Sequence, residues 1–161
     1  MKLKVGQVLW LKLPFGETDA TSKVYHPYLI LNISGYGLSL IEAGQMDSED
    51  DRPWDVLRGK KIPVDNMNPA ETVIYVPSFL QTDRKIQIEY FDDLSQYLDT
   101  DDTLSAKKFQ KIIDSYYAKR MKYGSDNFRD LYFTRDRVLE LNPVEEWEED
   151  KERRLRKYGL L

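Results

Sequence analysis

Hydrophobic and polar positions alternate most clearly at the start of the chain. In residues 7–13, Val8, Trp10 and Lys12 fall on one side, and Gln7, Leu9, Leu11 and Leu13 on the other. This predicts a strand that is apolar on both faces, which sits inside a closed sheet more readily than at an open edge. Pro14-Phe15-Gly16 stops that strand, and the polar residues 17–23 read as a loop. Residues 28–33, YLILNI, form a second strand opened by His26-Pro27, where a proline at the strand's start costs no ladder hydrogen bond. Ser34-Gly35-Tyr36-Gly37 supplies two glycines for a tight turn, and residues 38–43 follow as a third strand. Residues 28–43 are therefore a β-hairpin with a loop of about four residues.

Shorter strands continue the pattern. Residues 44–53 are polar and acidic, too charged for burial, and form a surface loop. Residues 54–57 read as a short turn, and Arg58-Gly59-Lys60-Lys61 is a basic turn leading into Ile62-Pro63-Val64, a short strand near an edge. Turn chemistry at residues 65–69 precedes a β-prone run at 72–76. Residues 78–82 continue it beyond Pro77, and residues 85–88 alternate as a last short strand. Five to seven short strands separated by brief turns have the spacing of a small barrel or a sandwich.

The pattern changes after Asp92. Thr103 or Asp102 caps a helix over residues 104–123, with Phe109, Ile112, Ile113, Tyr116 and Met121 near one face and Gly124 ending it. Residues 127–141 fit a helix or a strand equally, with Leu131, Phe133, Val138, Leu139 and Leu141 buried in either case. Asn142-Pro143 punctuates, and Pro143 at a first helical position introduces a helix over residues 144–158. Its pairs Glu149/Arg153, Asp150/Arg154 and Glu152/Arg156 have the favourable i,i+4 order. Val144, Trp147 and Leu155 are its obvious anchors, so it is lightly docked. The fold class is mainly β with two or three C-terminal α-helices.

Composition narrows the chemistry. The chain has 161 residues, 41% of them hydrophobic, which is enough for one compact domain or for a smaller domain with an appendage. It has no cysteine, so disulfides, thiolate metal sites and cysteine nucleophiles are excluded. The N-terminal run MKLKVGQVLWLKL carries lysines and reads as a strand, not a signal peptide, and no apolar run is long enough to cross a bilayer. These features predict a cytoplasmic protein with no membrane partner. The net charge of −4 divides into +1 over residues 1–46, −8 over 47–102 and +3 over 103–161. That balance argues against indiscriminate nucleic-acid binding but leaves room for a local basic surface. One such surface is the helix face carrying Lys107, Lys108, Lys111, Lys119, Arg120 and Lys122 against Asp114, read first as a solvated face and second as an RNA-binding one.

Familiar catalytic motifs do not occur. There is no glycine-rich phosphate loop, no paired histidines and no nucleophile elbow. Asp47, Glu49, Asp50 and Asp51 lack the ligand alternation, central glycine and terminal glutamate of a calcium loop, so no metal and no cofactor is expected.

The segments GQVLWLKLPFG and YHPYLILNI, followed by IPV and ETVIYVPSFLQTD, resemble the MazF/PemK-like family of toxins over residues 5–90. The resemblance implies an SH3-like β-barrel of five to seven strands in residues 1–92, with residues 93–161 as a helical extension packed on it. It also implies a metal-independent endoribonuclease of a toxin–antitoxin system, acting on single-stranded RNA, often as a homodimer, with an antitoxin protein as partner. Cleavage in that family uses the RNA's own 2′-hydroxyl, so the protein supplies a base, an acid and charge for the phosphate.

His26 stands where the family has an arginine, and the family's hydroxyl position falls in residues 43–48, where Gln45 aligns best and Ser48 is the nearest hydroxyl. An imidazole exchanges protons near neutral pH but lacks the bidentate phosphate grip of a guanidinium. His26, Gln45 and Ser48 are the candidate catalytic residues; Lys23, Tyr25, Arg58, Lys60 and Lys61 are the candidate RNA-binding ones. The alternative is a small-barrel RNA- or protein-binding module without catalysis. A third reading makes the helix over residues 144–158 a cover whose acidic first half shields Arg58, Lys60 and Lys61.

Overall fold

The structure, a computed structural model, describes residues 2–14, 25–35, 37–45, 61–64, 78–81, 84–123 and 129–160. It is a mixed α/β architecture. Strands β1 (Val8–Leu11), β2 (His26–Ser34), β3 (Gly37–Gln45), β4 (Lys61–Val64), β5 (Ser78–Gln81) and β6 (Arg84–Ile88) come first. A 3₁₀ turn η1 (Asp92–Tyr97), helix α1 (Ala106–Tyr123), strand β7 (Arg129–Phe133) and helices α2 (Arg135–Leu141) and α3 (Val144–Lys157) follow. The predicted strand at residues 72–76 and the acidic residues 47–51 lie outside the described residues.

Strand β3 is the hub of the sheet. One edge pairs with β2, and the other is shared: Leu38, Ser39 and Leu40 pair with β6, while Ala43, Gly44 and Gln45 pair with β5, which pairs in turn with β4. The strand order is β1-β2-β3-β5-β4, with β6 and β7 branching from β3. The β2–β3 hairpin forms as the sequence predicts but with a tighter loop: Ser34 pairs with Gly37, so only residues 35 and 36 lie between the strands. Its register slips between Ile30 and Asn32, leaving Leu31 unpaired, and this bulge keeps Ile30 and Leu31 both buried.

Gly37 is at a position that requires glycine. Its φ is +144°, and a Cβ there would overlap the backbone carbonyl oxygen of Ile88 on β6. Gly37→Ala is therefore expected to lower the unfolding free energy by about 2–3 kcal/mol in urea titrations. Gly35→Ala, where an added Cβ meets nothing within 4 Å, should change it little and serves as the control.

All four residues of β1 are buried, as an apolar pattern on both faces demands, yet β1 ends the strand order instead of lying within it. Its second edge is covered by residues between 98 and 147, from later in the chain. Leu9 bridges Leu98, and the buried Asn142 side chain binds both backbone groups of Lys12, accepting from its N–H at 2.7 Å and donating to its carbonyl at 3.0 Å. The Trp147 indole N–H donates to the Trp10 carbonyl at 2.8 Å. At the strand's entrance Gln7 accepts from the Lys4 N–H and donates to the Asp101 carbonyl. An edge strand with unpaired backbone groups is a template for another chain, and these contacts remove that template.

The helices depart from the sequence pattern in instructive ways. α1 begins at Ala106, with the Ser105 hydroxyl accepting from the Lys108 N–H, not Thr103 or Asp102. Leu104 is buried and its N–H donates to the Gly6 carbonyl, so the chain stays extended until it has passed that anchor. Ile112 and Tyr116 are buried as expected, but Met121 is 86% exposed. Five residues beyond Tyr116, it lies about 140° round the helix. Residues 129–141 resolve into both alternatives: β7 runs parallel to β6, then Thr134 caps α2 by accepting from the Arg137 N–H. Pro143 is the cap of α3, one position before the first helical residue, and Val144 is exposed and anchors nothing.

Candidate functional site

Two sequence-predicted residues lie beyond the open end of the β2–β3 hairpin. The ladder runs from Ser34↔Gly37 to Tyr28↔Glu42, so His26 lies two residues past its last pair on β2 and Gln45 three residues past it on β3. His26 is half-buried and stands opposite Leu11 of β1. Gln45 is in register with Ser78 of β5, which faces Val64 of β4 across the next ladder. Ser78 therefore brings a hydroxyl-bearing residue to the same row as Gln45, although 33 positions later in the chain; its apolar neighbours in sequence carried no signal of that juxtaposition. Lys61 opens β4 opposite Gln81, three residues from that row. Ser48, Lys23, Arg58 and Lys60 lie outside the described residues.

Tyr25 belongs to a different environment from the one its sequence neighbours suggested. It is only 6% exposed, with the Lys12 ammonium 4.8 Å from its ring centre. Burial raises its pKa well above the usual phenol range, reinforced by the carboxylates of Glu146 and Asp150. Its hydroxyl finds no hydrogen-bond partner among the described residues. A ring so enclosed offers no open face for a base to stack on.

Next to Tyr25 lies the densest polar cluster of the described structure, joining α3 and η1 to β1. The Arg154 guanidinium grips Asp99 through two bonds of 2.6 and 3.1 Å and bonds Asp150 at 2.5 Å. It lies 3.9 Å from the Trp10 ring centre, close enough for strong cation–π attraction. Side-chain exposures of 11% for Arg154, 6% for Asp99 and 16% for Asp150 make this a largely dehydrated triad. Lys12, itself mostly covered, bonds Glu146 at 2.6 Å. Tyr97 donates to the Asn142 carbonyl at 2.7 Å, and burial pushes its phenol up to about 12.

This cluster is structural in its chemistry. Every carboxylate in it faces a cation, and its aromatic rings pack in the core. It shows that the acidic first turn of α3 meets Lys12, while the strand bearing Lys61 has α1 against it. Two of the three predicted i,i+4 pairs on α3 form, Asp150/Arg154 and Glu152/Arg156. No helix among the described residues is long and apolar enough to cross a membrane. No family model, no curated protein and no solved structure matches the chain.

Proposed function

We propose that this chain is a divergent MazF/PemK-like small-barrel protein that acts in the cytoplasm on single-stranded RNA at the open end of the β2–β3 hairpin. The observation that carries this reading is the register: His26 and Gln45, assigned from separate parts of the sequence, lie past the same end of one ladder. The divided edge of β3 supports the SH3-like barrel, because a strand shared between β6 and β5 has to bend from one sheet into the next.

In the catalytic form of this proposal, a base takes the proton of the RNA 2′-hydroxyl, and O2′ attacks the adjacent phosphorus. The P–O5′ bond breaks as the leaving oxygen gains a proton, giving a 2′,3′-cyclic phosphate and a 5′-hydroxyl. In this proposal His26 is the group on the rim that exchanges those protons, and Gln45 and Ser48 take the role of holding the phosphate or the flanking base. Lys23, Arg58, Lys60 and Lys61 supply positive charge for the backbone. A partner chain, whether an antitoxin or a second copy, docks elsewhere than on the outer edge of β1, which the chain's own C-terminal segment already covers.

Incubating the purified protein with single-stranded RNA in EDTA should give cyclic-phosphate termini. His26→Ala should slow cleavage about 100-fold or more, the usual contribution of a general acid or base. Equal cleavage by the variant removes His26 from the mechanism. The second reading, a binding module without turnover, draws support from the burial of Tyr25 and the absence of a guanidinium at position 26. RNA that is retained in a gel shift but never cut selects that reading.

A further inference from the structure

Charge on the three α-helices is handled in two different ways. On α3, Arg154 and Arg156 are each neutralised by a carboxylate one turn away, and on α2 Arg137 meets Glu140. On α1, Lys107, Lys108, Lys111, Lys119, Arg120 and Lys122 share the helix with a single acidic residue, Asp114. The Asp114 carboxylate accepts from Gln110 at 2.8 Å, and Arg120 donates to the Tyr116 hydroxyl one turn back and pairs with Asp130 of β7 at 3.7 Å. Lys107 and Lys111 are exposed, stand one turn apart, and make no ion pair among the described residues. A chain of net charge −4 has thus placed six basic residues and one acidic residue on a single helix.

Aromatic surface accompanies this charge. Tyr117 is 53% exposed and lies about 120° round the helix from Lys111, and the exposed Met121 lies one turn further along. The Tyr117 ring is braced edge-on by Tyr116, whose side chain is buried, so an exposed aromatic face is held in place from below. α1 also lies against β4, the strand that carries Lys61.

We infer that α1 is a single-stranded nucleic-acid track: Lys107 and Lys111 neutralise successive phosphates, and Tyr117 offers a stacking platform for a base. The inference rests on the RNA reading above and extends it from the hairpin rim, past Lys61, across the helix. The partner fits because exposed lysines and an exposed ring on one helix satisfy the two demands of a single strand, backbone charge and a π-face that tolerates any base. An acidic polypeptide would use the lysines but would leave the ring without a function.

The test is fluorescence anisotropy of the full-length protein with a labelled single-stranded RNA across a salt series. Lys107→Ala with Lys111→Ala should weaken binding about tenfold and flatten the slope of log K against log salt by about 1.4, since each single-strand phosphate contact contributes about 0.7. Tyr117→Ala should weaken binding about fivefold or more with the slope unchanged. All three positions are exposed, so circular dichroism and Tm should match the parent. If the parent binds RNA and the lysine pair changes neither affinity nor slope, α1 is not the track, while the hairpin reading stands. If the parent binds no RNA, both readings fall. Tighter binding of polyglutamate than of RNA overturns the nucleic-acid assignment.

Discussion

Arg154→Ala is expected to lower the unfolding free energy by about 3–5 kcal/mol, the usual cost of stripping one partner from a buried ion pair. The guanidinium holds two largely buried carboxylates, Asp99 and Asp150, and covers the Trp10 ring. Its removal leaves negative charge in a low-dielectric setting and opens a gap above an aromatic face. Lysine at this position should recover only part of the loss, because a point charge cannot make the planar two-bond grip on Asp99 or lie flat on an indole. Adding Asp99→Asn to Arg154→Ala should also recover part of it, since the uncompensated charge has gone. Urea titrations of the four proteins decide the matter, and a loss below about 1 kcal/mol for Arg154→Ala would show that the triad behaves as an exposed surface pair.

Trp147→Ala should cost a similar amount, about 3–5 kcal/mol, for a different reason. Trp147 is 3% exposed, meets Tyr97 edge-on at 5.9 Å and 77°, and donates its indole N–H to the carbonyl of Trp10. Alanine leaves a large cavity and an unanswered carbonyl on the edge of β1. Trp147→Phe restores most of the volume but not the donor, so its loss should be about 1–3 kcal/mol, the cost of a buried acceptor left unpaired. Because Arg154 and Trp147 hold the same helix to the same strand, the double variant should lose less than the sum of the two. Uncovering β1 also exposes an apolar edge, and light scattering should report faster association of Trp147→Ala than of Gly37→Ala, whose defect is at the other end of the hairpin. Equal association rates would mean that α3 does not guard the edge.

Features encoded by neighbouring residues were legible in the sequence. The doubly apolar β1, the β2–β3 hairpin, the alternation of β6, the C-terminal end of α1 and two of the three i,i+4 pairs of α3 follow from residues close together in the chain. Of the candidate rim, His26 and Gln45 were assigned through the family resemblance, and Ser78 reaches the row of Gln45 only through the β3–β5 pairing. The setting of Tyr25 was not legible from its neighbours in sequence: it is buried, with the Lys12 ammonium over its ring and the α3 carboxylates of Glu146 and Asp150 acting on its hydroxyl.

Asn142-Pro143 is the clearest divide between the two kinds of information. Local turn chemistry marks it as punctuation, and it does end α2. Its larger role, supplying a side-chain amide as a substitute ladder partner for Lys12, spans 130 positions of sequence. The same holds for Arg154, which reads as half of an i,i+4 pair and becomes the centre of a buried triad once Asp99 and Trp10 are brought to it. Periodicity and turn propensity act over a few residues and are written along the chain. The identity of the group that meets a strand's free edge, or of the charge that enters a dehydrated cluster, depends on which distant surfaces bury the most apolar area together. For this protein the sequence determined most of the elements, while long-range packing decided between strand and helix over residues 129–141, which side chains of α1 and α3 are buried, and that β1 is an edge closed by later parts of the chain.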